Sequence, residues 1–555
     1  MIRRSLLVSI GVCLASFWMP QIGWTQSSLP ASADLGATLS IDQNVAIELS
    51  GGAVMRANVY RPSKPGRYPV IISATPYGKD LPFREFAPAA YAALLKLYPG
   101  VCENGAECKY LRWEAADPAH WVPLGYVVIH ADEKGFSRGA GVQNYYDLIE
   151  WAARQAWSSG KVGLLGTSAL AMNQWQVAPM RPPHLAAMIP WQGMSDFYRE
   201  GSYHGGILAD NFIRKRGGDA AVSALLADPL DDDPHTKPDL AKIEVPLLVG
   251  ANWLGAGMHE RGSIQGFVEV GSRQKWMVAH SSITDAFSLY LPKYVAIQER
   301  FFNHFLKGED NGWEKQPPVT YEIRNPDGTE IDASASAWPL PGTNWTKCWL
   351  NASSKTLEAK EPSAQGTLTY RAIGDGITLM GAPQRQPLTL VGPVAARLWV
   401  SSSTKDMDLF VTLRAFAPDG KEVTFLRGDE PKMPLAFGWL RVSMRELDAK
   451  RSTPYQPWHT FTNKQMLTPG TVYPVDVEVW PTSIRLPKGY KLALTIQGED
   501  FHRDGKRGEG QGAGDLLHRD PFDRPPAIFD GMNTILTGPS HASWLLLPVR
   551  SSPGR

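Results

Sequence analysis

Cysteine is scarce, with four residues in 555, at positions 13, 102, 108 and 348. That excludes a small scaffold framed by disulfides and leaves the fold to apolar burial. An excess of either charge is also missing: 56 Lys and Arg stand against 55 Asp and Glu. Without a basic surplus for a phosphate backbone, no nucleic-acid partner is expected. No apolar run beyond Met19 reaches the ~18 residues of a membrane helix, so no membrane contact is expected once the leader is removed. No close set of His, Cys, Asp and Glu has metal-ligand spacing, and no Gly-rich phosphate loop follows the first strand. Neither a metal nor a cofactor is expected.

What the chain has is length and apolar content. At 43% hydrophobic residues over 555 positions it can bury two or more substantial cores. It begins with a basic stretch, Met1 to Arg4, followed by an apolar segment, Ser5 to Met19. This reads as a signal peptide over residues 1–26 and predicts an exported protein, periplasmic or secreted. Cys102 and Cys108 enclose a turn-prone Glu-Asn-Gly-Ala-Glu segment and either bridge in an oxidising compartment or lie close without bonding.

From about 40 to 335, short and continuously apolar runs alternate with segments of helical period. Pro69–Ser73, Tyr126–His130, Val162–Gly166, Pro246–Gly250 and Trp276–Ala279 read as strands covered on both faces. Tyr145, Leu148, Ile149 and Ala152 recur at helical spacing, as do Tyr294, Ile297, Phe301 and Phe305. An α/β domain with a largely parallel sheet follows. From about 345 to 550 the period becomes two, as in Val475, Val477 and Val479 or Leu409, Val411 and Leu413. That half predicts an all-β sandwich of jelly-roll type. A polar, Gly-rich loop is expected from Asp504 to Gly514.

The stretch richest in chemistry runs Val162-Gly-Leu-Leu-Gly-Thr-Ser-Ala-Leu170. An apolar strand enters Gly166-Thr167-Ser168 and a helix leaves it, the setting of a nucleophile elbow. Such an elbow lifts the Ser168 hydroxyl off the sheet edge and aims the Ala169 N–H at a developing oxyanion. The second glycine of G-x-S-x-G is Leu170 here, and a serine acting only as an N-cap is the competing reading.

Much of the chain, about 40–550, resembles the cocaine esterase-like hydrolases, grouped with X-Pro dipeptidyl-peptidases and α-amino-acid ester hydrolases. The resemblance is carried by Tyr68–Lys79, Gly125–Gly135, Tyr146–Trp151, the Ser168 elbow, Asp196–Arg199 with Tyr203–Gly206, Phe301–Gly308, Gly438–Ser443, Pro457–His459 and Trp480–Ser483. It implies an α/β-hydrolase domain over 40–335, with a small helical cap insertion at about 190–242, and a C-terminal jelly-roll sandwich over 345–550. It further implies Ser168 as nucleophile, with Tyr77 and the Ala169 N–H as the oxyanion hole.

The other triad positions depart from the family pattern: the acid position reads Gly255 and the base position Thr284. The histidine after the last strand is His280, expected here as base, with His259 and His204 as the alternative bases. Glu260, in the Gly257-Met-His-Glu-Arg-Gly262 loop, is the candidate acid. Asp132 and Lys134 are read as an ion pair fixing the sheet edge. Trp191, Phe197, Tyr198, Tyr203 and Phe212 supply apolar walls, with His204 and His259 shaping the pocket. The expected activity is hydrolysis of a small ester or amide through an acyl-enzyme. The alternatives are a catalytically degraded relative that binds a small acyl ligand or partner, and a carbohydrate-binding role for the β half.

Overall fold

The computed structural model describes residues 38–102, 108–133, 140–228, 237–282, 287–427, 430–501 and 517–551. The expected leader, Lys134, Thr284 and the stretch from Asp504 to Gly514 lie outside the described residues.

Strands β1 (Leu39–Glu48) and β2 (Val54–Pro62) form an antiparallel hairpin, and β2 pairs antiparallel with β4 (Val127–Asp132). From there β3 (Tyr68–Thr75), β5 (Ser158–Thr167), β6 (Leu185–Trp191), β7 (Leu247–Asn252), β8 (Lys275–His280) and β9 (Val319–Arg324) follow in parallel, and β10 (Glu330–Ala335) closes the edge antiparallel. The spatial order is 1-2-4-3-5-6-7-8-9-10.

The continuous apolar runs have a simple cause. Val70, Ile72 and Ala74 of β3 enter one core while Ile71 enters another on the opposite face, and β4 divides Val127, Ile129 and Ala131 from Val128 in the same way. Helix α1 (Ala140–Ala153) covers the first face with Tyr145, Leu148, Ile149 and Ala152. Helix α5 (Pro292–Phe302), which follows three at the site, covers the second with Tyr294, Ile297 and Phe301. Each such large side chain contributes about 1.5–3 kcal/mol on burial.

The core of the C-terminal half is framed by seven of its strands, β11 (Leu388–Ser402), β12 (Asp408–Phe416), β13 (Ala436–Arg441), β14 (Tyr473–Leu486), β15 (Lys491–Gln497), β16 (Met532–Thr537) and β17 (Trp544–Arg550). All pair antiparallel: β11 with β14, β16 and β17, and β12 with β13 and β15. Their alternating residues, Val475, Val477, Val479, Leu409, Val411 and Leu413 among them, share one core. The halves are joined through the sheet, where Arg324 of β9 pairs with Ile484 of β14 and its guanidinium donates to the Ser483 carbonyl at 2.8 Å.

Between β6 and β7 the chain makes a π turn over Tyr198–Ser202, a short hairpin and helix α3 (Asp210–Ala227), kinked at Gly218. Cys102 and Cys108, left open by sequence, are joined as a disulfide.

Candidate active site

The nucleophile position is set by a conformation that few residues adopt. Ser168, between β5 and α2 (Ala169–Val177), has φ 56° and ψ −118°. Holding a non-glycine residue there costs on the order of 1–3 kcal/mol. The surroundings impose it: the Ser168 N–H donates to the carbonyl of Gln192 at 3.0 Å, and the Thr167 N–H to that of Glu114 at 3.0 Å. Gly166 is obligatory, since a Cβ there would lie 2.4 Å from Cβ of Leu170 and 3.2 Å from the Glu114 carbonyl oxygen. The same contact explains the missing second glycine. Only one of the two facing positions has to be bare, and Leu170 fills the space Gly166 leaves.

A histidine meets the serine: Nε2 of His259 lies 3.2 Å from Oγ of Ser168. It comes from the loop between β7 and α4 (Glu260–Glu269), wound so that the N–H groups of Met258, His259 and Glu260 all donate to the Gly255 carbonyl. His259 is buried against the elbow.

Tyr77, two residues past β3, brings its phenol beside Ser168 and Glu114. Burial, and then the Glu114 carboxylate, push its pKa far above the ordinary value, so it remains an O–H donor. The Ala169 N–H, first of α2, belongs to the helix-terminal donors that have no partner within the helix. Arg216 of α3 places a positive charge near the Tyr77 phenol.

His280 is not brought to Ser168. Its ring stacks on Trp191, the Ser282 N–H donates to Nδ1 and the Gln192 side-chain amide meets Nε2, each at 3.2 Å. Its charged neighbour is Glu322 on β9. Sequence points to His280 because it stands at the end of a strand, but the ring is held by Trp191, Gln192 and Ser282.

Glu260 does not orient an imidazole either. Both carboxylate oxygens are buried without a hydrogen-bond partner among the described residues. Burial raises its pKa well above the carboxylate range, against the pull of Arg324 and Arg427. A neutral acid cannot supply the negative charge a triad asks for.

Trp191 is fully buried, lies where a Cβ on Gly250 would strike it, and donates its indole N–H to Ser288 at 2.8 Å, so it packs the sheet instead of walling a pocket. Phe197, Tyr198, Tyr203 and Phe212 do gather in an apolar cluster, together with Met172 of α2 and Met258 beside His259. His204 is buried beside His518 of the C-terminal half, their ring nitrogens 2.8 Å apart. Asp132 accepts the Lys79 N–H at 2.7 Å, so the edge is fixed through Lys79.

Glu114 escapes sequence reading altogether, because nothing in Trp113-Glu-Ala-Ala116 marks a catalytic neighbour. His259 left a trace in the Gly-x-His-x-Arg-Gly pattern. That spacing is structural too: Arg261 pairs with Glu200 at 2.8 Å and Glu478 at 2.9 Å, and Gly262 leaves room for Glu200.

Residues 51–286 match the family model of the X-Pro dipeptidyl-peptidases of the S15 family, and residues 311–546 that of the X-Pro dipeptidyl-peptidase C-terminal non-catalytic domain. The chain is 22% identical to the cocaine esterase of Rhodococcus sp. (strain MB1 Bresler), over 92% of this chain and 98% of that protein. Among solved structures, a CocE/NonD family hydrolase from Staphylococcus aureus is 31% identical, covering 92% of this chain and 94% of its own, with a TM-score of 0.81. An α-amino acid ester hydrolase shares the fold at 15% identity, with a TM-score of 0.71 over 96% of this chain and 100% of its own.

Proposed function

The chain belongs to the CocE/NonD family of hydrolases, and we propose that it cleaves a small carboxylic ester or amide through an acyl-enzyme on Ser168, with His259 as the base. The observation that carries this reading is the 3.2 Å contact between Ser168 Oγ and His259 Nε2 on a strained elbow.

Ser168 gives its proton to His259 Nε2 as Oγ attacks the substrate carbonyl. The oxyanion is taken by the Tyr77 phenol and the Ala169 N–H, donors fixed before the substrate arrives. His259 then passes the proton to the leaving alcohol or amine, and water repeats the sequence to release the acid. The cluster of Phe197, Tyr198, Tyr203, Met172 and Met258 suits an acyl or aromatic group of small to moderate size. The C-terminal half is read as a jelly-roll sandwich beside this pocket.

Export is part of the same reading. It rests on the basic Met1–Arg4 and apolar Ser5–Met19 segments, and the Cys102–Cys108 disulfide suits an oxidising compartment. Recovery of the protein from a periplasmic or culture fraction, shortened at its N-terminus, is the expected result; recovery of the full chain from cytoplasm contradicts it.

Labelling with a fluorophosphonate probe tests the chemistry. Wild type should label, and Ser168→Ala should not. A folded wild type that fails to label and hydrolyses no p-nitrophenyl ester sinks the proposal in favour of a ligand-binding relative.

A further inference from the structure

The C-terminal half sends two titratable residues into the hydrolase half. His518 and Asp500 both belong to it, and His204 belongs to the segment between β6 and β7; all three are buried, His518 and His204 almost completely. Nδ1 of His518 lies 2.7 Å from Oδ1 of Asp500, whose Oδ2 accepts the His518 N–H at 2.8 Å. Nε2 of His518 lies 2.8 Å from Nδ1 of His204. At the far end, Nε2 of His204 meets the main-chain carbonyl of Glu200 at 3.3 Å, and the Gly257 main chain lies beside the same ring. Gly257 is two residues from His259, in the loop that carries it.

The approach is built deliberately. Gly205 follows His204, and a Cβ there would lie 2.1 Å from the Trp439 carbonyl oxygen. Bare backbone therefore lets the Gly205 carbonyl accept the Arg441 N–H at 2.8 Å. Trp439 stacks on the His204 ring at 4.7 Å, and Trp480 meets it edge-on. A small cavity lined by Ala256, Gly257, Trp439 and Asp500 lies at the same junction.

Hydrogens can be counted along this chain. Its ends meet a carboxylate and a carbonyl, which only accept. Nδ1 of His518 and Nε2 of His204 therefore both carry hydrogens, and one more lies between the two inner nitrogens. Three hydrogens on two rings is one more than two neutral imidazoles hold, so the pair is a cation balanced by Asp500.

We propose that Asp500, His518 and His204 act as a charged relay that positions the His259 loop, making the C-terminal half a working part of the catalytic site. The proposal rests on His259 being the base of Ser168. The hydrogen between the rings is donated by Nε2 of His518 to Nδ1 of His204. Burial pushes His204 down to about 3, which keeps that ring neutral and lets its Nδ1 accept. Burial raises Asp500, but the charge and hydrogen bonds of His518, with Arg524, outweigh it and hold the carboxyl below its ordinary range.

Among the described residues, the other charged groups around the relay are internally matched. Arg524 donates to the His518 carbonyl and to Asp408, Arg441 pairs with Asp408 and Asp523, and the Glu200 carboxylate is turned to Arg261. Loss of the hydrogen between the two rings strands the His204 Nδ1 and so loosens the loop.

The test compares wild type, His518→Ala, His518→Gln and Asp500→Asn, with fluorophosphonate labelling and p-nitrophenyl ester hydrolysis read against pH. His518→Ala should label Ser168 but lower kcat by about 10- to 100-fold with little change in KM, the scale of a misplaced base. His518→Gln, whose amide N–H donates to His204 without titrating, should recover much of kcat and flatten the alkaline limb. Asp500→Asn should move that limb to lower pH. Wild-type kcat and an unchanged pH profile in folded His518→Ala and Asp500→Asn overturn the relay, whereas a wild type that does not label overturns the serine hydrolase reading instead. Should the variants fail to fold, nitrogen-15 NMR of histidine-labelled wild type decides: two protonated ring nitrogens on His518 at pH 7 support the relay, and one contradicts it.

Discussion

Two strand ends on the same edge of the sheet each meet a histidine beside aromatic and acidic neighbours, and they differ in what they leave undone. At the end of β5, Ser168 is held off its preferred backbone conformation, remains partly accessible, and faces His259 and a phenol kept protonated. At the end of β8, His280 is enclosed and its neighbour Glu322 is saturated. Oε1 of Glu322 accepts from Lys293 and Tyr294 at 2.7 Å each, and Oε2 from the Ser281 N–H at 2.8 Å. Burial alone would raise Glu322, but His280 and Lys293 hold its carboxyl below the ordinary range. One end is strained and open to a reacting group; the other is closed by its own bonds. A histidine after the right strand is therefore not a base unless its ring reaches the nucleophile.

Substitutions sharpen this contrast. The largest effect is expected for Ser168→Ala, which removes fluorophosphonate labelling altogether. Tyr77→Phe should fold normally and lower kcat by about 10²–10³-fold in ester hydrolysis, the scale of one lost oxyanion donor. His280→Ala should act on stability, costing about 1–3 kcal/mol in a denaturant titration by orphaning buried partners. Activity of the folded fraction should stay within a few-fold of wild type.

The smallest effect concerns Glu260. Its carboxyl is held protonated in the fold, above its unfolded pKa, so the native state binds a proton that the unfolded chain releases. Stability then falls as pH rises above the ordinary glutamate range. Glu260→Gln, neutral at every pH, should raise the melting temperature at pH 8 and leave it nearly unchanged at pH 4. An equal shift at both would show that Glu260 is ionised after all.

Much of the sheet was legible because burial on both faces writes itself as an unbroken apolar run. Pro69–Ser73 became β3 and Pro246–Gly250 lies at β7. The elbow was legible from Gly166-Thr-Ser168, since the close approach of Leu170 allows only glycine at its first position. β6 was hidden by the proline in Leu-Ala-Ala-Met-Ile-Pro-Trp191. The choice of histidine was hidden for a deeper reason. Whether His259 or His280 reaches Ser168 depends on how the loop after β7 winds around Gly255 and on where Trp191 stacks, and neither is a local preference. His518 lies 314 residues from His204, so no pattern along the chain could have joined them.

The most direct measurement is the rate of fluorophosphonate labelling in His259→Ala and His280→Ala, both shown to be folded at the assay temperature. The account predicts a loss of about 10²–10⁴-fold for His259→Ala, the usual contribution of a general base, and a rate near wild type for His280→Ala. A near-normal rate in His259→Ala with a collapse in His280→Ala would contradict it and return the base to the end of β8.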